Sequence, residues 1–303
     1  MDLREENRGG YIISSKMKRV WNIQMTMAAK LLEVCKKHHL RVWADGGTLL
    51  GLIRHHGYIP WDDDMDFLMI REDYDQLVKI SQTEFRHPFF FQSAYSDINY
   101  YRGHAQLRYD GTTAILPCDI NQKFHQGIFI DIFVYDHMPD VEDCDWKRRL
   151  ETADDIGRRL DKYCYRQMSP RLVLVFRNLS LQRTRIFLTK KKRNRMFVLY
   201  NDLFRYYESE DCKRISSPCF SRKTLKTSIK ELSWYRQTVM LPFEDMELPA
   251  PIDYKKILRG QYGDTYMTPI MESSQHGGFQ VLDPDKPYTD YLPELRAQFK
   301  KKR

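Results

Sequence analysis

Five aspartates carry the first chemical signal in this chain. Asp62, Asp63, Asp64 and Asp66 crowd into the run WDDDMD, and Asp131 interrupts the apolar run GIFIDIFVYD. If residues 62–70 form one extended strand, Asp62, Asp64 and Asp66 share one side and Met65, Phe67 and Met69 the other. Like charges at that spacing raise one another's pKa and cost stability unless something positive sits among them. The flanking Phe67, Leu68, Met69 and Ile70, and Ile130 and Ile132 around Asp131, place these acids in apolar surroundings rather than on a solvated face, and an unpaired buried acid is expensive. A hard divalent cation, Mg²⁺ or in its place Mn²⁺, is the natural counter-charge, with Asp64, Asp66 and Asp131 as its expected ligands. Such a set holds one ion, or two about 3.5 to 4 Å apart. A calcium loop of the D-x-D-x-D type is a poor alternative, because its sixth position needs Gly and its twelfth takes Glu, where this chain has Phe67 and Asp73.

A second group precedes the acids. In ADGGTLLG, the glycines Gly46 and Gly47 let a backbone approach a phosphate closely, and Thr48 opens a short helix whose first N–H groups face an anion. A glycine pair alone is most often just a turn. Here it is followed by that helix and then by the acids, an order that lets one nucleotide phosphate touch both. Gly46, Gly47, Thr48, Arg54 and Asp62 are therefore the expected substrate-binding residues, with His55 and His56 further candidates to neutralise phosphate charge.

The elements that must hold these groups follow from periodicity. Met17, Val20, Trp21, Ala28, Leu31, Leu32 and Cys35 recur at three- and four-residue steps, which predicts an amphipathic helix over 17–39. Residues 41–44 read as extended and 48–54 as a short helix stopped near Gly57 and Pro60. A helix is expected over 71–85, and strands at 89–91, 100–109 and 127–135. From about residue 141 to 210 the text turns helical and highly charged. The C-terminal part, with Pro242, Pro249, Pro251, Pro269, Pro284 and Pro287, reads as irregular with short helices packing back on the rest. The expected division is a catalytic core at 1–140 and, at 141–303, a basic helical segment with a C-terminal region that packs on the core.

At 303 residues, 42% hydrophobic and 30% charged, the chain has the composition of a folded globular protein, which excludes general disorder. The charges that punctuate the first thirty residues argue against a signal peptide, and no stretch approaches about 18 apolar residues. The six cysteines, at 35, 118, 144, 164, 212 and 219, form no C-x-x-C pair and read as reduced thiols. A cytoplasmic protein is expected. Residues 158–195 hold thirteen Lys or Arg against the single acid Asp161, a surplus of twelve that exceeds the whole-chain charge of +8, so the remainder is net acidic. A solvated helix is the default reading of such a run. The interleaved Leu172, Val173, Val175, Phe176 and Ile186 also suit peripheral contact with an anionic membrane on its inner face. No nucleic-acid motif accompanies the patch.

The run ADGGTLLGLIRHHGYIPWDDDMDF, from Ala44 to Phe67, resembles the signature of the LicD family, and GIFIDIFVYD (Gly127 to Asp136) and LRGQYGDTYMTP (Leu258 to Pro269) look like its downstream motifs. The resemblance implies an α/β nucleotidyltransferase-type fold, a mixed sheet flanked by helices, here with a helical basic segment. It implies transfer of a phospho-alcohol, phosphocholine-like or a polyol phosphate, from a CDP-activated donor to a sugar hydroxyl of a glycan or lipid-linked saccharide, with release of CMP. By position, Asp64 and Asp66 resemble the paired metal ligands and Asp131 the third catalytic acid; Asp131 or Asp62 would take the hydroxyl proton. Two other readings stay open: a nucleotidyltransferase moving NMP from an NTP, and a non-catalytic nucleotide- or glycan-binding protein.

Overall fold

A computed structural model describes residues 1–97, 100, 102–139, 142–168, 195–196, 198–199, 202–203, 205, 207, 212–217, 228–271 and 278–301. The chain opens with a small antiparallel ribbon, β1 (Glu6–Arg8) and β2 (Tyr11–Ile13), and enters helix α1 (Ser15–Lys37). The Ser14 hydroxyl accepts from the Met17 N–H and caps α1, Lys36 and Lys37 sit in its last turn, and Val20, Trp21, Ala28, Leu31 and Val34 form its buried stripe. Then follow β3 (Trp43–Ala44), α2 (Gly46–Arg54), β4 (Asp66–Ile70), α3 (Arg71–Glu84), β5 (Phe89–Gln92), β6 (Ala105–Tyr109), β7 (Thr113–Ile115) and β8 (Phe129–Met138).

Strand β8 is the spine. Along one edge residues 131–135 run parallel to β4; along the other, residues 129–132 pair antiparallel with β6 and residues 136–138 with β9 (Arg214–Ser216). The order β10-β9-β8-β4-β3, with β6 and β5 joined through β8, makes a seven-stranded mixed sheet in which β10 is Lys230–Glu231. Helix α1 packs on β6 and β8, and α3 on β4 and β8. This is the mixed α/β sheet flanked by helices expected from the sequence.

Between β8 and β9 lies α4 (Cys144–Met168), which takes in the start of the basic segment; residues 169–194 of that segment lie outside the described residues. Toward the C-terminus come the hairpin β11 (Thr238–Phe243) and β12 (Met246–Pro251), helix α5 (Tyr254–Tyr262), β13 (Val281–Asp283), which pairs with β7, and helix α6 (Tyr288–Lys301). Phe243, Leu248, Ala250, Ile257 and Leu258 join the same buried apolar cluster as Trp21, Trp43, Phe67 and Ile132. Among the described residues no helix is long and apolar enough to cross a membrane.

Two expectations need correcting. The strand predicted over 62–70 begins only at Asp66. Residues 62–65 are a loop, and its first two carbonyls are met by side chains of α1 rather than by a ladder: Trp21 Nε1 donates to Asp62 O at 3.1 Å and Gln24 Nε2 to Asp63 O at 2.9 Å. The C-terminal region is also more regular than its prolines suggested. Pro242, Pro249 and Pro251 lie in the two-stranded β11–β12 ribbon, where each strand has an open edge that tolerates a missing N–H.

Candidate functional site

The site is assembled where β3, α2 and β4 meet. Trp43 and Ala44 pair with Leu68 and Phe67, so the chain turns into α2 directly beside the start of β4. Three contacts lock the junction: the Asp45 N–H donates to Asp66 O at 3.0 Å, the Leu49 N–H to Asp45 O at 3.1 Å, and the Asp66 N–H to Thr48 Oγ1 at 2.8 Å. Gly46 has φ +53°, a left-handed conformation that favours glycine. A Cβ there would lie 3.0 Å from Asp66 Oδ2, and one on Gly47 only 2.7 Å from Asp62 Oδ2. The glycine pair therefore makes room first for two carboxylates, where sequence reading expected room for phosphate. The outcome is the same constellation, acids packed against the amino end of a helix.

Asp66 and Asp131 are cross-strand partners in the parallel β4–β8 pair, on strands that neighbour at about 4.8 Å, so both side chains emerge on the same face. The Asp131 N–H donates to Met65 O at 2.9 Å, which ties the acidic loop to β8. Among the described residues, the acids whose oxygens all come within 4.8 Å of one another are Asp62, Asp63 and Asp64. Asp63, which is not among the expected ligands, thus belongs to the tightest group, while Asp64 stands between it and the Asp66–Asp131 pair. Asp62 and Asp64 share a side-chain hydrogen bond. Loop geometry, not strand alternation, brings Asp62 and Asp64 to the site.

The electrostatics follow from that crowding. Burial, and then the charge of Asp64, push the Asp62 carboxyl up to about 9. Burial, with Asp131 and Asp63 nearby, pushes Asp64 up to about 7. Asp66 is driven well above the ordinary carboxylate range by burial and by Asp64 and Asp131. Asp62, Asp64 and Asp66 nevertheless keep partial exposure, so an ion can reach them though protein atoms crowd most sides. The donor set is all carboxylate oxygen, a hard set that fits Mg²⁺ or Mn²⁺, with the ion taking the place of the protons that burial favours.

Several residues at the site carried no recognisable sequence signal. Asp45 is buried at the start of α2, paired with Lys230 Nζ, and accepts from Tyr135 Oη at 3.1 Å; the Lys230 ammonium also sits 4.6 Å from the Tyr135 ring. Lys230 comes from a strand 185 residues away, beyond the reach of local pattern. His104 Nε2 lies 2.9 Å from Asp131 Oδ1, and Gln106 Nε2 donates to the same oxygen at 2.6 Å. Gln106 faces Asp131 across the β6–β8 pair; polar residues alternating within AQLRY were the available clue. Tyr262 of α5 stands close enough that Asp45, Asp66, Asp62 and Asp64 add to the burial that raises its hydroxyl.

Arg54, expected on phosphate, donates from Nη1 to Tyr266 O at 2.9 Å and from Nε to His55 Nδ1 at 3.3 Å. It ties the end of α2 to the turn after α5, joining the first and last of the three motifs. Burial and the nearby Arg54 and Arg8 charges push His55 down to about 4, so without an anion beside it the imidazole is neutral at pH 7. Its ring packs edge-on against Trp61.

Residues 39–149 match the nucleotidyltransferase domain of the LicD/FKTN/FKRP family. The lipopolysaccharide cholinephosphotransferase LicD of Haemophilus influenzae is 33% identical over 106 residues, 35% of this chain and 39% of that protein. An uncharacterised protein of Rickettsia prowazekii is 30% identical over 108 residues, 36% of this chain and 37% of that one. The matched stretch thus spans under two fifths of the length of these curated relatives. The family match takes in Asp45, the glycine pair and all five acids, but not Lys230 or Tyr262.

Proposed function

We propose that this protein, whose residues 39–149 match the LicD/FKTN/FKRP nucleotidyltransferase domain, transfers a phospho-alcohol, phosphocholine-like or a polyol phosphate, from a CDP-activated donor to a sugar hydroxyl of a cell-surface glycan, releasing CMP. The observation that carries the reading is the pairing of Asp66 with Asp131 on adjacent parallel strands, beside Asp62 and Asp64 and against the glycine-opened end of α2. The cholinephosphotransferase similarity supports the substrate class.

Asp64, Asp66 and Asp131 would hold Mg²⁺, or Mn²⁺ in its place, which when bound neutralises the pyrophosphate and the charge that develops on departing CMP. The chain's own residues do the rest. The main chain at Gly46 and Gly47 receives a phosphate at the positive end of α2. Thr48 Oγ1 already accepts from the Asp66 N–H, which leaves its own proton to donate to a phosphate oxygen. Asp131, oriented by Gln106, takes the proton of the acceptor hydroxyl as that oxygen bonds to phosphorus and the bond from phosphorus to the CMP oxygen breaks. In this reading residues 1–140 carry the chemistry, 141–303 close the site through Lys230 and Tyr262, and the basic residues 158–195 meet an anionic membrane surface on its inner face, where a lipid-linked acceptor is found.

The test is CMP release from CDP-choline, CDP-ribitol and CDP-glycerol by the full chain, with and without Mg²⁺, beside Asp64→Asn. The expected result is release from one donor that requires the ion and falls by roughly two orders of magnitude or more in the variant, the size set by several kcal/mol of lost charge stabilisation. Pyrophosphate release from an NTP would replace the proposal with nucleotidyl transfer. Failure with every donor, together with no Mg²⁺-dependent nucleotide binding, would leave a non-catalytic glycan-binding protein.

A further inference from the structure

Arg108 is a cation in an unusual place. It lies on β6, 1% exposed, with its guanidinium 4.4 Å from the Phe129 ring. Its hydrogen bonds run to Gln92 Oε1 at 2.8 Å, Gly127 O at 2.7 Å and Gln106 Oε1. None of these is a carboxylate. Burial pushes Arg108 down to about 10, so it is still charged at neutral pH. A buried cation whose hydrogen bonds all go to neutral oxygens is costly.

What it achieves is orientation. A guanidinium donates and never accepts, so the Gln106 amide must turn its oxygen toward Arg108. Its nitrogen then points the other way, to Asp131 Oδ1 at 2.6 Å. With either face of the amide otherwise free to point at Asp131, half of the orientations would set oxygen against carboxylate. The neighbouring Gln92 shows the same logic: its oxygen faces Arg108, and its Nε2 donates to Asp97 Oδ2 at 2.9 Å and His125 O at 3.1 Å. Gln106 and Arg108 are two apart on β6 and share a face of the strand, and Gln106 stands directly opposite Asp131 in the ladder.

We propose that Gln106 and Arg108 are a positioning pair for the acidic site: Arg108 locks the Gln106 amide so that its N–H holds the Asp131 carboxylate in the orientation that receives a divalent cation. The inference rests on the cation-binding reading of Asp64, Asp66 and Asp131. Groups that orient metal-ligating carboxylates contribute roughly 10- to 100-fold in metal affinity, and that is the size expected here.

The experiment is Mn²⁺ titration of the full chain, followed by electron paramagnetic resonance and calorimetry, on wild type, Asp66→Asn, Gln106→Met, Gln106→Asn and Arg108→Lys. Gln106→Met removes both halves of the amide at nearly constant length; Gln106→Asn keeps the amide but is one methylene too short to bridge Arg108 and Asp131, and serves if the Met variant fails to fold. Asp66→Asn is expected to abolish binding. The Gln106 variants are expected to weaken it about 10- to 100-fold and to alter the line shape of the bound ion, with Arg108→Lys between them and wild type. Wild-type affinity and line shape in the folded Gln106 and Arg108 variants, with binding still lost in Asp66→Asn, would overturn the positioning role alone. No Mn²⁺ binding by wild type, or binding indifferent to Asp66, would overturn the cation site and the positioning role with it.

Discussion

At Gly46 and Gly47 the acidic site and the backbone compete for the same volume. An added methyl would stand 3.0 Å from Asp66 Oδ2 at the first position and 2.7 Å from Asp62 Oδ2 at the second. Gly46→Ala also forces an L side chain into the left-handed region, which costs about 1–2 kcal/mol. The expected outcome is a lower urea midpoint with an unchanged slope, and for Gly47→Ala a displaced Asp62. The sequence showed that these glycines matter, since a pair before a short helix and an acidic run invites a phosphate reading. It could not show that carboxylates would occupy the space first, because Asp66 reaches Gly46 through the pairing of β3 with β4, and Asp62 reaches Gly47 through a loop that Trp21 and Gln24 of α1 hold in place. The same holds for Asp63: strand alternation would point it away from Asp62 and Asp64, and the loop brings all three within 4.8 Å of one another.

Between elements, the tie that holds the amino end of α2 is the buried Asp45–Lys230 pair, both partners about 4–6% exposed at their side chains. Removing one member of such a pair leaves an uncompensated buried charge, at about 3–5 kcal/mol. Lys230→Met is therefore expected to lower stability by that order in chemical unfolding, and the double variant Asp45→Asn with Lys230→Met to recover most of it. A Lys230 on the surface would give neither result. The individual elements were largely legible: α1, α2, α3, β5 and β8 all fall close to their periodic or apolar runs. Their ends were less so, because ends are set by partners. β8 continues to Met138 where β9 joins it, and β4 starts only at Asp66, where pairing with β8 begins.

For the molecule as a whole, the acids couple stability to pH and to divalent cations. The Asp62 carboxyl sits at about 9 in the folded chain against an ordinary value of 3.8. The folded state thus holds a proton that the unfolded state gives up, so this contribution is fully present below about pH 4 and is lost as pH rises through about 9. In chelator-treated protein the melting temperature is expected to fall across that range. Added Mg²⁺ is expected to raise it at pH 8 by more than at pH 5, because the ion replaces the proton as counter-charge; equal effects at both pH values would detach the acids from cation binding. The sequence by itself determined the chemistry available: five aspartates in apolar context, a glycine pair at a helix start, three motifs, and a class of fold, because burial preference and periodicity are local properties of the chain. Only the tertiary structure decided which groups meet. Asp66 finds Asp131 through parallel pairing, Asp45 finds Lys230 across 185 residues, and Gln106 turns toward Asp131 because a buried guanidinium permits one orientation, all consequences of contacts between segments that no local pattern encodes.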